Sequence, residues 1–284
     1  MSLKIEGKRF AALFIVLFLL FFIIRFPLKE VKTWAISRAA GAAQLDISLR
    51  DSSFLFPVGI EFEQLVFAKS GFFVSPELDS FRFKINPLSL FGNKKELSFH
   101  IINGGSGSGN IVVEKTIARA SIKSDLIDIG GFKTTKGLSI EKGTLGISGE
   151  LTASADYMKG EGSLDVRGSD LFIKGINPFI PELPVKAFSA KIEKEAASVR
   201  VKELSLEVEG LAFNGGGSVN LAKPLGRSSL DFNGKIDLFN SKEGPLSGII
   251  SMIRGMTGEK ESFTVEVSGM INKPDFKIDG KRLF

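Results

Sequence analysis

Among its 284 residues the chain has no cysteine, one histidine, one tryptophan and one tyrosine. Without cysteine there is no disulfide framework, no thiolate nucleophile and no Cys/His zinc site. The compartment stays open, because a cysteine-free chain suits a reducing cytosol and equally a bacterial periplasm. The single histidine, His100, falls on the polar phase of an alternating stretch, where it reads as a solvated surface side chain rather than a base or ligand. No G-x-S-x-G elbow occurs. Glu61, Glu63, Asp165 and Asp231 sit at alternating strand positions, the pattern of a wet sheet face rather than an acid–base pair. The glycine run at 104–109 lacks a G-K-[ST] ending and precedes a strand pattern, Ile111-Val112-Val113, so it reads as a hairpin turn rather than a phosphate loop. The chain is therefore read as non-enzymatic, with no cofactor and no metal. The formal net charge of +5 is spread without a block of like charges, so no nucleic-acid partner is expected.

The longest apolar run, residues 10–24 (FAALFIVLFLLFFII), holds no charge, glycine or proline. As a helix, fifteen residues rise about 22 Å, and extension to Leu28 gives about 28 Å, close to the roughly 30 Å of a bilayer's hydrocarbon core. Phe10, Leu13, Leu17, Leu20 and Ile24 are its candidate anchor residues. Lys8 and Arg9 on one side, and Arg25, Lys29 and Lys32 on the other, suit snorkelling to headgroups. A helix apolar on every face suits lipid better than a protein core. The run also fits a secretory signal peptide, but the residues after Ile24 offer no small-residue cleavage site, and the small run 39–43 comes too late. An uncleaved single-pass anchor over 10–28 is expected, after a cytoplasmic leader 1–9. Basic residues flank both ends, so the positive-inside rule does not fix orientation; an exported look to the rest places the C-terminal body in the periplasm. Residues 29–43 read as a short helix near the membrane surface, with Trp34 either in the interfacial belt or plugging the end of the following domain.

From residue 44 onward the period becomes two. Leu45-Asp46-Ile47-Ser48-Leu49-Arg50, Phe81-Arg82-Phe83-Lys84-Ile85 and Leu97-Ser98-Phe99-His100-Ile101 alternate strictly, which predicts strands with one apolar and one wet face. Pro57, Pro76 and Pro87 supply breaks. Later, the pattern apolar–x–apolar–x–Gly recurs at Leu145–Gly149, Leu164–Gly168, Leu206–Gly210, Leu230–Gly234 and Val265–Gly269. Each copy predicts a strand ending in a glycine-assisted turn, bulge or bend. Many similar strands laid side by side predict a mainly β body over 44–284: a large antiparallel sheet curled into a half-barrel or groove. The stretch 176–184 is punctuated by Pro178, Pro181 and Pro184 and predicts a loop. Residues 245–256 predict a helix, with Leu246, Ile249, Ile250, Ile253 and Met256 at helical spacing and Gly258 ending it. That stripe either packs on the sheet as an amphipathic cap or meets a membrane or partner.

The apolar phase of the strands supplies a candidate groove: Phe81, Phe83, Ile85, Leu97, Phe99, Ile101, Leu204, Leu206, Val208, Leu230, Phe232, Val265 and Val267. Filled by its own side chains, this interior is a core; left open, it is a trough for acyl chains.

A basic leader, an anchor, a helix and then LDISLRDSSFLFPVGIEFEQLVF at 45–67 resemble the N-terminal part of AsmA-like envelope proteins, and most specifically the type II secretion system protein N (GspN) family. The run 263–276, an apolar strand, a glycine and a Pro-apolar step, is similar to the closing strand of those chains. The resemblance implies an inner-membrane-anchored periplasmic protein of a Gram-negative bacterium, without catalytic residues. Its partners would be the bilayer and other secretion-system or envelope proteins. Resemblance to the groove-shaped AsmA-like chains implies the alternative, a protein that binds or transfers phospholipid.

Overall fold

The computed structural model describes Ser37, Gly41 and residues 46–282, apart from 56–57, 70–72, 116, 135–136, 155–158, 178–179, 240–245 and 259. The chain divides into two units, Met1–Leu45 and Asp46–Phe284, and every strand among the described residues belongs to the second. The expected anchor residues Phe10, Leu13, Leu17, Leu20 and Ile24, and Trp34, lie outside the described residues. Among the described residues no helix is long and apolar enough to cross a membrane.

Among the described residues nineteen strands follow one another: β1 (Asp46–Ser48), β2 (Asp51–Leu55), β3 (Gly59–Lys69), β4 (Phe73–Val74), β5 (Leu78–Ile85), β6 (Lys94–Ile102), β7 (Ser106–Glu114), β8 (Ile117–Ser124), β9 (Ile127–Asp128) and β10 (Phe132–Thr134). Then come β11 (Ser139–Ser154), β12 (Gly160–Asn177), β13 (Ile180–Glu195), β14 (Ser198–Val208), β15 (Leu211–Asn220), β16 (Ser229–Leu238), helix α1 (Ser247–Thr257), β17 (Ser262–Met270), β18 (Lys273–Ile278) and β19 (Lys281–Arg282). Every pairing is antiparallel, and one ladder runs β3-β5-β6-β7-β8-β11-β12 and onward in sequence order to β18.

The mainly β, antiparallel expectation holds, but its closure differs. The short strand β4 pairs with both β3 and β10, and β10 pairs with β11. The ring β3-β5-β6-β7-β8-β11-β10-β4 is thus a closed eight-stranded antiparallel barrel, from which β12–β18 extend the sheet. Phe73 and Phe132 stack across the closing pair, 6.0 Å between ring centroids. At the tip of the β6–β7 hairpin, the buried Asn103 donates from Nδ2 to the Asp128 carbonyl (2.6 Å) and accepts the Asp128 N–H at its own carbonyl (2.8 Å). These two hydrogen bonds tie the tip to the segment leading into β10.

Three local expectations are corrected. The glycine run is mostly strand: the turn is confined to 103–105, and β7 begins at Ser106. Gly107 and Gly109 are buried beneath their neighbours, with no room for a side chain. The Pro-punctuated stretch belongs largely to the β12–β13 hairpin, where Pro184 stands opposite Phe172. Proline is tolerated because β14 ends at Val208, opposite Val185, so Pro181 and Pro184 lie on a locally one-sided strand. Of the glycines in the recurring pattern, only Gly210 sits in a turn; Gly149, Gly168 and Gly234 lie inside strands and Gly269 one residue from the end of β17.

Helix α1 forms as expected and stops at Gly258, whose φ of 72° supplies the left-handed C-cap. Leu246 and Ile250 are buried with Leu171, Val185, Val208, Leu238 and Phe263, so the helix caps the apolar face at one end of strands β12–β17. The side chains of Ile249, Ile253 and Met256 lie outside the described set.

Candidate functional site: a continuous apolar sheet face

One row of directly opposed residues crosses the ladder from β3 to β18. It reads Ile60, Phe83, Phe99, Gly109, Ile122, Gly149, Leu164, Ile192, Val201, Gly217, Phe232, Val267 and Phe276. Every member is apolar or glycine. One residue along, the opposite face reads Glu61, Arg82, His100, Ser108, Lys123, Ser148, Asp165, Lys191 and Glu203 from β3 to β14. A two-residue repeat kept in register over so many strands makes the sheet amphipathic throughout.

The candidate groove residues all belong to this apolar face. Phe81, Phe83, Ile85, Leu97, Phe99 and Ile101 are half-buried, as are Leu204, Leu206, Leu230, Phe232, Val265 and Val267. Val208 alone is fully buried, beneath α1. The face is therefore packed at its helix end and only partly covered elsewhere. Phe62, Phe188, Phe213, Phe263 and Phe276 also belong to it and were not singled out from sequence. The signal for Phe62 was present in the alternation Ile60–Phe62, but it breaks at Gln64, a polar residue with a positive φ of 49°.

Glycines thin this face. A Cβ placed on Gly109 would stand 2.4 Å from Phe99 Cζ, one on Gly234 2.4 Å from Phe213 Cε2, and one on Gly217 2.6 Å from Phe232 Cγ. The rings lie over their cross-strand glycines instead of standing upright from the sheet, which leaves the apolar layer shallow. Phe81 stacks between Phe62 (6.3 Å) and Phe99 (6.4 Å), continuing the aromatic layer into the barrel.

The opposite face is held by cross-strand ion pairs, among them Arg82–Glu61 at 2.7 Å and Lys191–Glu203 at 2.6 Å. A depression of about 1050 Å³ lies there among Arg200, Asn214, Asp231, Asn233, Lys235 and Glu266. Its lining is mixed in charge, and Lys235 is bridged to Asp237, so it is a solvated hollow rather than a match for an apolar guest. His100 sits on this face between Arg82 and Ser108. Among the described residues no three metal-binding side chains cluster.

The Arg82 guanidinium, hydrogen-bonded to Glu61, holds its carboxyl below the ordinary range, against the opposing effect of burial; Ser80 Oγ adds a bond at 3.0 Å. A depressed folded pKa contributes stability above the unfolded value, lost as pH falls through the folded one. Arg82→Gln is expected to return the Glu61 pKa upward and to shrink the acid sensitivity of unfolding, read by carboxyl NMR titration and by urea unfolding at pH 7 and pH 4. An unmoved Glu61 titration would show that the ion pair is not formed in solution.

Comparison with known protein families, curated proteins and solved structures returns no match.

Proposed function

We propose that this chain is a non-enzymatic, membrane-anchored protein of the bacterial envelope that binds or transfers phospholipid, holding acyl chains on the apolar face of its sheet. The observation that carries the reading is the row from Ile60 to Phe276: unbroken, apolar, and half-buried except at Gly109. A face that merely formed a core would be covered along its length as it is beneath α1. Ten acyl methylenes buried against it at about 0.8 kcal/mol each would contribute about 8 kcal/mol before ordering costs. The anchor at 10–28 would keep the sheet beside its lipid source.

The test is a phospholipid with a photoreactive acyl chain, crosslinked to the full-length protein and mapped by mass spectrometry. Adducts are expected on Leu204, Phe232 and Val267. Adducts confined to residues 10–24 would overturn the reading.

A second reading, contact with type II secretion components, is favoured by the C-terminal signature. Its glycine and its Pro-apolar step fall on facing strands of one hairpin, Gly269 directly opposite Pro274 and Val267 opposite Phe276. Crosslinking in cells should then recover secretion proteins, and recovering none would count against it.

A further inference from the structure

The loop between β5 and β6 is built inside out. It forms a short 3-10 helix, Pro87–Phe91, with Asn86 as N-cap accepting the Leu88 N–H (3.1 Å). Its serine turns inward. Ser89 is buried, its Oγ donating to the Asn86 carbonyl (2.7 Å) and accepting the Glu96 N–H (3.1 Å). Asn86 Nδ2 binds Glu96 (2.8 Å), and Lys95 Nζ reaches the carbonyls of Ser89 and Gly92. Two of its apolar residues turn outward: Leu88 is 82% exposed and Phe91 92%, the two most exposed large hydrophobics among the described residues. A loop ordered only to shield itself would bury these two side chains and leave the serine wet. This one uses its internal hydrogen bonds to hold a leucine and a phenylalanine in water.

The surroundings supply charge of one predominant sign. The β7–β8 turn lies at the same strand end, two strand spacings or about 10 Å away, and carries Ile117, 45% exposed. Beside it, Lys94, Lys115 and Arg119 line a hollow of about 180 Å³ with Glu114, Val112 and Ile117. With Lys95, four cations stand against two carboxylates, Glu96 and Glu114, and both of these are engaged, by Asn86 and by Lys94 at 3.7 Å. The same strand end continues the theme. Register places Phe54, Leu151, Leu225, Met270 and Ile271 there, so that eight of the twelve exposed large hydrophobics of the described residues share it.

We infer that this strand end is a second membrane contact: Leu88 and Phe91 insert into an anionic phospholipid bilayer while Lys94, Lys115 and Arg119 hold its headgroup phosphates. A protruding apolar pair ringed by cations matches an interface of apolar depth under negative charge. The contact is separate from the apolar sheet face and stands whether or not that face binds acyl chains.

Because the chain lacks cysteine, one introduced thiol reports one position. Full-length Phe91→Cys, labelled with an environment-sensitive dye and held in phosphatidylcholine nanodiscs, is titrated with phosphatidylcholine–phosphatidylglycerol vesicles carrying nitroxide lipid. Glu209→Cys, in the turn at the opposite strand end, is the comparison site. The dye at 91 is expected to shift to the blue and be quenched, and the dye at 209 to remain unaffected. Lys115→Gln and Arg119→Gln should raise the vesicle concentration required by about fivefold for each charge removed. A label at 91 quenched no more than one at 209 overturns the inference and leaves the exposed pair to a protein partner. Equal quenching by phosphatidylcholine vesicles alone overturns its anionic part.

Discussion

Phe263→Ala is expected to destabilise the protein by about 3–5 kcal/mol, the lower urea midpoint being read by circular dichroism on the full chain. Phe263 is 2% exposed, opposes Ile236 across β16–β17 and lies in the one cluster where α1 closes over the sheet. Among the described residues that cluster holds seven buried side chains, and Phe263 is the largest of them. The informative comparison is Phe232→Ala. Phe232 belongs to the same face and opposes Val267 across the same strand pair, but it is half-buried beyond the helix. Its loss should cost only about 1–2 kcal/mol, roughly the transfer energy of the area it has removed from water. Equal costs at the two sites would mean that the uncovered part of the face is packed as tightly as the capped part, and the lipid reading would lose its footing.

The contrast between those two phenylalanines also separates what was legible in the sequence from what was not. Strand parity was legible, because a two-residue repeat is written in consecutive side chains. It assigned every one of the thirteen groove residues to one face, and the helix of 245–256 was visible from its spacing and from Gly258. Coverage was not legible. Phe232 and Phe263 have equivalent local patterns, and only the return of α1 distinguishes them. Closure of the barrel was equally hidden. It rests on β4 and β10, of two and three residues, too short to carry a period. The interior glycines were visible but misread as strand ends, because a glycine beneath a cross-strand ring and a glycine in a turn look alike without register. Leu88 and Phe91 gave no signal at all, since two apolar residues in a loop do not announce whether they face in or out.

Gly149→Ala is expected to cost about 4 kcal/mol or more, combining backbone strain with a steric clash. Gly149 has φ of +156°, and a Cβ there would stand 2.1 Å from the Ser163 carbonyl oxygen and 2.8 Å from Leu164 Cα. These are backbone atoms, so β12 itself must move. The position matters because Gly149 faces Ile122 of β8 on one side and Leu164 of β12 on the other. Strand β11 is where the extension β12–β18 hangs on the barrel, and prying β12 away there loosens the whole extension. Gly137→Ala provides the reference: φ is +90° and nothing lies within 4 Å, so only the left-handed conformation is penalised, by about 1–2 kcal/mol. Hydrogen exchange on the full chain locates the damage. In Gly149→Ala the amides of β12 and β13 should exchange faster while those of β5–β7 keep their protection. If Gly149→Ala proved as mild as Gly137→Ala, the β11–β12 junction would be compliant. The apolar row would then be able to bend at that line, and any acyl chain it holds would lie across a hinge rather than on a rigid floor.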